Sequence, residues 1–258
     1  MSDQSKVEMP MSPRTAALLQ RAATAVFRLA GALPESVPLL RSRAQVDLES
    51  QVFGGAPIPM GSVEDITVAG TIPARRYRPR GVARPSALLV YFHGGGFVVG
   101  SPDSCDSVFR FLAEHAEVAV LSVDYRLAPE HPFPAAVDDA VAAFRWAVAN
   151  ATALGVDPYR IAVSGDSAGG NLAAVVAQVT AAGPAPAFQL LFFPCTDMAT
   201  KSRSFALFPE GFFRTEAQID WYYGHYLPDA ATAKDPRASP LLAEHVGGLA
   251  LSFAGAPR

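Results

Sequence analysis

Two rhythms of apolar and polar positions alternate along this 258-residue chain. Short apolar runs recur at residues 87–92 (ALLVYF), 118–123 (VAVLSV), 160–164 (RIAVS) and 188–193 (FQLLFF). Each is shorter than an ordinary helix and too continuous for a strand with one wet face, so each predicts a strand buried within a sheet. The longer mixed stretches between them, at 104–115, 135–149 and 171–178, predict helices. Strand alternating with helix implies a parallel sheet with right-handed crossovers. Ahead of this series, 63–68 and 74–77 flank Gly70 and are closed by Pro79, which predicts an antiparallel pair at the sheet edge. Residues 247–253 read as the beginning of a further strand.

Two segments depart from the rhythm. Residues 15–33 are rich in Ala and Leu but carry Arg21 and Arg28, which fits an amphipathic helix better than a membrane span. Residues 198–229 concentrate aromatics, among them Phe205, Phe208, Phe212, Phe213, Trp221, Tyr222, Tyr223 and Tyr226. Aromatic stripes at helical spacing serve either a core or an insertion over a site. The expectation is one α/β domain over 1–258, with cap elements at about 1–50 and 198–232. Half of the residues are apolar, enough for a large core.

Charge and cysteine content narrow the function classes. A net charge of −3 without a Lys/Arg cluster gives no footprint for nucleic acid or an anionic membrane. Cys105 and Cys195 are isolated, which argues against a disulfide framework, and both are expected to pack rather than react. Residues 1–14 lack the basic-then-apolar order of a signal peptide. A cytoplasmic location is expected, and no His/Cys/Asp spacing suggests a metal site.

The chemistry is carried by GDSAGG at 165–170 and HGGG at 93–96. The first follows a predicted strand and opens a predicted helix, the strand-turn-helix setting in which a nucleophilic serine stands at a sharp turn. Ser167 is therefore the candidate nucleophile. The second follows the 87–92 strand, where consecutive glycines strip side chains from a loop so that amides can face an anion. In acyl transfer the substrate oxygen becomes that anion. Gly94, Gly95 and Ala168 are the expected oxyanion donors, and His93 is expected to prop the loop by hydrogen bonding.

Together, HGGGF at 93–97, DYRLAPEHPFPAA at 124–136 and GDSAGGN at 165–171 resemble the hormone-sensitive-lipase-like carboxylesterases of the α/β-hydrolase fold. The resemblance extends from about residue 63 to 242, through FPCTD at 193–197, EGFF at 210–213 and SPLLAE at 239–244. It implies hydrolysis of small-molecule carboxylic esters without a cofactor, beneath a cap built from N-terminal helices and an insertion after the sixth strand.

In that family the triad acid lies in a DPL-type motif and the histidine in a later loop; neither motif occurs here. Asp235-Pro236 is followed by RASPLL, which aligns it ahead of the family's next strand. The chain thus reads as C-terminally shortened and as weakly active or inactive. The alternative is a non-catalytic binder of small ligands on the same scaffold. His115, His131, His225 and His245 are weak substitutes for the base, while Asp197 follows the 188–193 strand at the ligand-binding edge of the sheet. Asp138, Asp139 and Asp220 read as solvated helix charges. Without its last strands, the sheet is expected to expose the 188–193 strand as an apolar edge, open to self-association into a homo-oligomer.

Overall fold

The computed structural model describes residues 39–203, 205, 215–244, 246–247 and 249–255. The expected helix at 15–33, the aromatics Phe208, Phe212 and Phe213, and His245 lie outside the described residues.

The first described helix is α1 (Leu39–Phe53), followed by β1 (Ser62–Val68), β2 (Ile72–Arg78) and β3 (Ser86–Phe92). Next come α2 (Asp106–Ala116), β4 (Ala119–Val123), α3 (Ala135–Ala149) and the single turn α4 (Ala151–Leu154). β5 (Val156–Asp166), α5 (Ala168–Val179), β6 (Gln189–Phe192), α6 (Glu216–Tyr226) and β7 (Ser252–Gly255) complete the series. The sheet order is β1-β2-β4-β3-β5-β6-β7. β1 and β2 form the expected antiparallel pair, β2 meets β4 antiparallel, and β4 through β7 are parallel.

The apolar runs are continuous because both faces of the parallel strands are covered. Leu88, Val90 and Phe92 of β3 face one side, with Ala119, Leu121 and Val123 of β4, packed by α3 and α5. Leu89 and Tyr91 face the other, with Val120, against Phe109 and Ala113 of α2. On that second face Phe109 has no solvent exposure and lies 5.5 Å from the Tyr77 ring and 4.9 Å from Tyr91. Burial of such a ring contributes about 1.5–3 kcal/mol, and the ring contacts add about 0.5–1.5 kcal/mol.

Several expectations are sharpened. β5 extends beyond residues 160–164 at both ends, because Val156 pairs back to Ser86 across a register shift. α5 begins at Ala168, three residues before the expected 171, since Gly169 and Gly170 stay helical in spite of their low propensity. Two expectations are corrected. β6 is not an open edge: Gln189, Leu190, Leu191 and Phe192 pair with Ser252, Phe253, Ala254 and Gly255 of β7, so β7 is the outer strand among the described residues. Asp139 is not a solvated charge; it is only 5 % exposed and accepts from the Arg126 backbone amide and guanidinium at 2.7–3.1 Å. Its helix turns it inward, where a buried carboxylate needs such a partner. Asp220 is exposed and pairs with Lys201. No helix among the described residues is long and apolar enough to cross a membrane.

Candidate active site

Ser167 occupies the junction between β5 and α5 with φ 52° and ψ −112°. A non-glycine residue at positive φ is strained by about 1–3 kcal/mol and persists only where its surroundings enforce it. Here the enforcement comes from three sides. The Ser167 amide donates to Phe192 O at the end of β6 (3.0 Å), and the Ser167 carbonyl accepts from the amides of Asn171 and Cys195 (3.1 Å each). Asn171 then ties the same region together, its Nδ2 donating to Cys195 O and Ala238 O at 2.7 Å.

The HGGG loop is pressed against this turn. A Cβ on Gly169 would collide with the carbonyl of Phe92, the last residue of β3, so only glycine permits the approach. The two loops are also joined by charge. Asp166 Oδ1 accepts from the Gly94 amide at 2.9 Å and from Tyr91 Oη at 3.0 Å, so the residue before the serine holds the loop in place. His93 is fully buried, stacked on Tyr125 with ring centroids 4.4 Å apart, and its Nδ1 lies 2.7 Å from Gly94 O. This is the propping contact expected of it. Tyr125 Oη donates to His93 O at 2.6 Å.

One of the expected donors has a partner within the protein. The Gly94 amide is already engaged by Asp166, whereas the amides of Gly95, Gly96 and Ala168 have no acceptor among the described residues. Motif spacing alone does not reveal that the second residue of GDSAGG binds the first glycine of HGGG. The loop curls at Gly95 (φ 118°), whose carbonyl accepts from the Val98 and Val99 amides. Gly96, at φ 61°, leaves room for the Tyr222 ring of α6. Beside it Phe97 stacks on Tyr226 at 3.8 Å. The aromatics of α6 thus join the core and brace the loop from outside.

Ser167 is half-buried, and its Oγ has no hydrogen-bond partner among the described residues. None of the other titratable candidates is hydrogen-bonded to Ser167 among the described residues. Asp197 Oδ1 closes a turn by accepting from the amides of Ala199 (2.8 Å) and Thr200 (3.1 Å). His115 sits edge-on to Phe111, His225 edge-on to Trp221, and His131 is exposed. Asp235 pairs with Arg237. Cys195 Sγ lies 3.1 Å from Tyr223 Oη, and burial raises its thiol pKa, which favours the neutral form. No group of three His, Cys, Asp or Glu residues capable of holding a metal ion occurs among the described residues.

A family model of the alpha/beta hydrolase fold matches residues 89–254. The chain is 46 % identical over 223 residues to the carboxylic ester hydrolase LipN of Mycobacterium tuberculosis, covering 82 % of this chain and 59 % of that protein. The chain belongs to the hormone-sensitive-lipase-like family of α/β-hydrolases. It is also 40 % identical to an ethyl acetate hydrolase of Pseudomonas putida, covering 78 % of this chain and 66 % of that one. Among solved structures, an esterase of the archaeon Pyrobaculum calidifontis superposes with a TM-score of 0.84 at 37 % identity, covering 95 % of this chain and 79 % of that chain. An ester hydrolase from a Lake Arreo metagenome, solved with a bipyridine phosphonate derivative, gives 0.86 at 41 %, with the same coverage. The chain spans less than two thirds of the length of the curated relatives named here.

His93 supplies a pH signature of this hydrolase loop. Burial lowers its pKa from 6.5 to about 4, so the folded protein holds the ring neutral while the unfolded chain protonates it near 6.5. The unfolded state binds more protons in that window, so stability is complete above about pH 6.5 and falls as pH drops towards 4. The loss expected from this group is on the order of 3 kcal/mol. Urea unfolding of wild type and His93→Phe at pH 7 and pH 4.5 checks it: the variant should show a shallower dependence, and parallel curves would refute the assignment.

Proposed function

We propose that the protein is a carboxylic ester hydrolase that works through an acyl-enzyme on Ser167, with the amides of Gly95, Gly96 and Ala168 stabilising the oxyanion. The observation that carries the reading is the strained, glycine-flanked turn of Ser167 held directly against the HGGG loop. The hydroxyl oxygen adds to the ester carbonyl, the alkoxide leaves with a proton, and water later releases the acid. Each preorganised donor is worth about 2.7–4 kcal/mol in such a transition state. The ester hydrolases and esterases among its relatives support the substrate class. Hydrolysis of p-nitrophenyl acetate by wild type should exceed that by Ser167→Ala by at least about tenfold, or 1.4 kcal/mol in the barrier. Equal rates would remove the serine from the mechanism.

Residues 198–232 are proposed to cover the acyl site together with about 1–50, because α6 already packs on the HGGG loop through Tyr222 and Tyr226. Trp221, half-buried on the same helix, is proposed to meet the acyl chain. Trp221→Ala should change the ratio of kcat/KM for butyrate over acetate esters by about tenfold, the effect of two methylenes in an apolar pocket. A ratio equal to that of wild type would place α6 outside the substrate site.

Self-association is proposed to run through β7. Its outer backbone groups have no partner among the described residues, and Leu251 and Phe253 beside them are 78 % and 58 % exposed. Such an edge is a template for strand pairing, which a lysine opposes. In sedimentation velocity, Phe253→Lys should weaken association by about tenfold or more, given 1.5–3 kcal/mol for burying a phenylalanine. An unchanged association constant would move the interface elsewhere.

A further inference from the structure

At the opposite end of the sheet from Ser167, a cavity of about 330 Å³ is lined by Ser62, Glu64, Arg78, Val82, Arg84 and Ser86. Ser86 begins β3, and Phe92 at its other end touches the serine turn, so six strand intervals, roughly 20 Å, separate the two regions.

The cavity holds positive charge that the protein only partly offsets, Glu64 acting on Arg78 through space. Arg78 is only 9 % exposed. Its Nη2 donates to the Leu154 carbonyl, but its Nε is buried with no acceptor among the described residues. Ser86 Oγ, 5 % exposed, likewise has no partner there. The exposed Arg84 converges on the same place: a Cβ on Gly155 would stand 3.1 Å from Arg78 Nη2 and 3.2 Å from Arg84 Cδ. Neither arginine forms an ion pair among the described residues. Glu64, the one carboxylate in the lining, is committed to Arg76.

A buried guanidinium with no carboxylate in contact is unfavourable, and leaving its Nε–H unbonded adds to the cost. Burial, then the neighbouring charges of Arg84 and Arg76, push the Arg78 pKa down, against a smaller opposing pull from Glu64. All three stresses are relieved by one kind of occupant. A tetrahedral oxyanion accepts several charge-assisted bonds at once, and the planar fork of arginine suits it better than a point cation does. The volume lies at the lower end of small-molecule sites, about 300–1,000 Å³.

We propose that this cavity is a phosphate-binding site, formed by Arg78, Arg84 and Ser86, for free phosphate or the phosphate of a small monoester. It is remote from the ester site and stands independently of the hydrolase reading. Isothermal titration calorimetry with inorganic phosphate and with phenyl phosphate tests it on the full chain. Saturable binding of either probe is expected, tighter for phenyl phosphate if the cavity takes a monoester and tighter for inorganic phosphate if it takes the free ion. Arg84→Gln, an exposed change that leaves the core intact, should weaken it by about fivefold or more, and Arg78→Met should abolish it. Absence of saturable heat from both probes up to about 10 mM would overturn the proposal. So would undiminished binding by Arg84→Gln, whose folding a circular-dichroism melt verifies; that result holds even if Arg78→Met fails to fold.

Discussion

The structure around the serine depends on one close approach, the carbonyl of Phe92 at the end of β3 lying where Gly169 would carry its side chain. β3 and β5 are adjacent parallel strands, so their carboxyl ends emerge side by side. A helix starting from β5 has to pass directly beside the loop leaving β3. A Cβ at position 169 would collide with the Phe92 carbonyl oxygen, so helix and loop would have to move apart to admit alanine. Glycine keeps the serine turn and the HGGG loop within hydrogen-bonding distance, as the bond from Gly94 to Asp166 demonstrates. Ser167, the single residue between strand and helix, takes the positive φ of this sharp turn.

Much of this was readable from residue order, and the reason is geometric. The continuous runs at 87–92 and 118–123 have no polar face because helices cover both sides, so period and length alone identify β3 and β4. The glycines of GDSAGG and HGGG were readable because only crowding or positive φ explains such density. What escaped the sequence was pairing between distant groups. Asp139 looks solvated in AAVDDAV, and only the fold brings Arg126 to it. The same holds for Asp166 and Gly94, 72 residues apart, whose bond changes which amides remain free. The apolar LAL at 249–251 extends the strand pattern ahead of β7, whereas pairing with β6 begins at Ser252.

Two aromatic residues of α6 serve the core and the HGGG loop at once. Tyr222 and Tyr226 have 4 % and 0 % exposure and belong to the main apolar cluster, as a core stripe should. Yet Tyr222 fills the space beside Gly96, and Tyr226 stacks on Phe97 while its carbonyl accepts from the Phe133 amide. Packing in protein interiors transmits displacement, because there are few voids to absorb it. A shift of α6 is therefore felt at Gly96, whose amide is one of those free to face a developing anion. Apolar burial and loop geometry are then a single property of this helix, and a substitution that loosens the aromatic packing loosens the anion-facing loop with it.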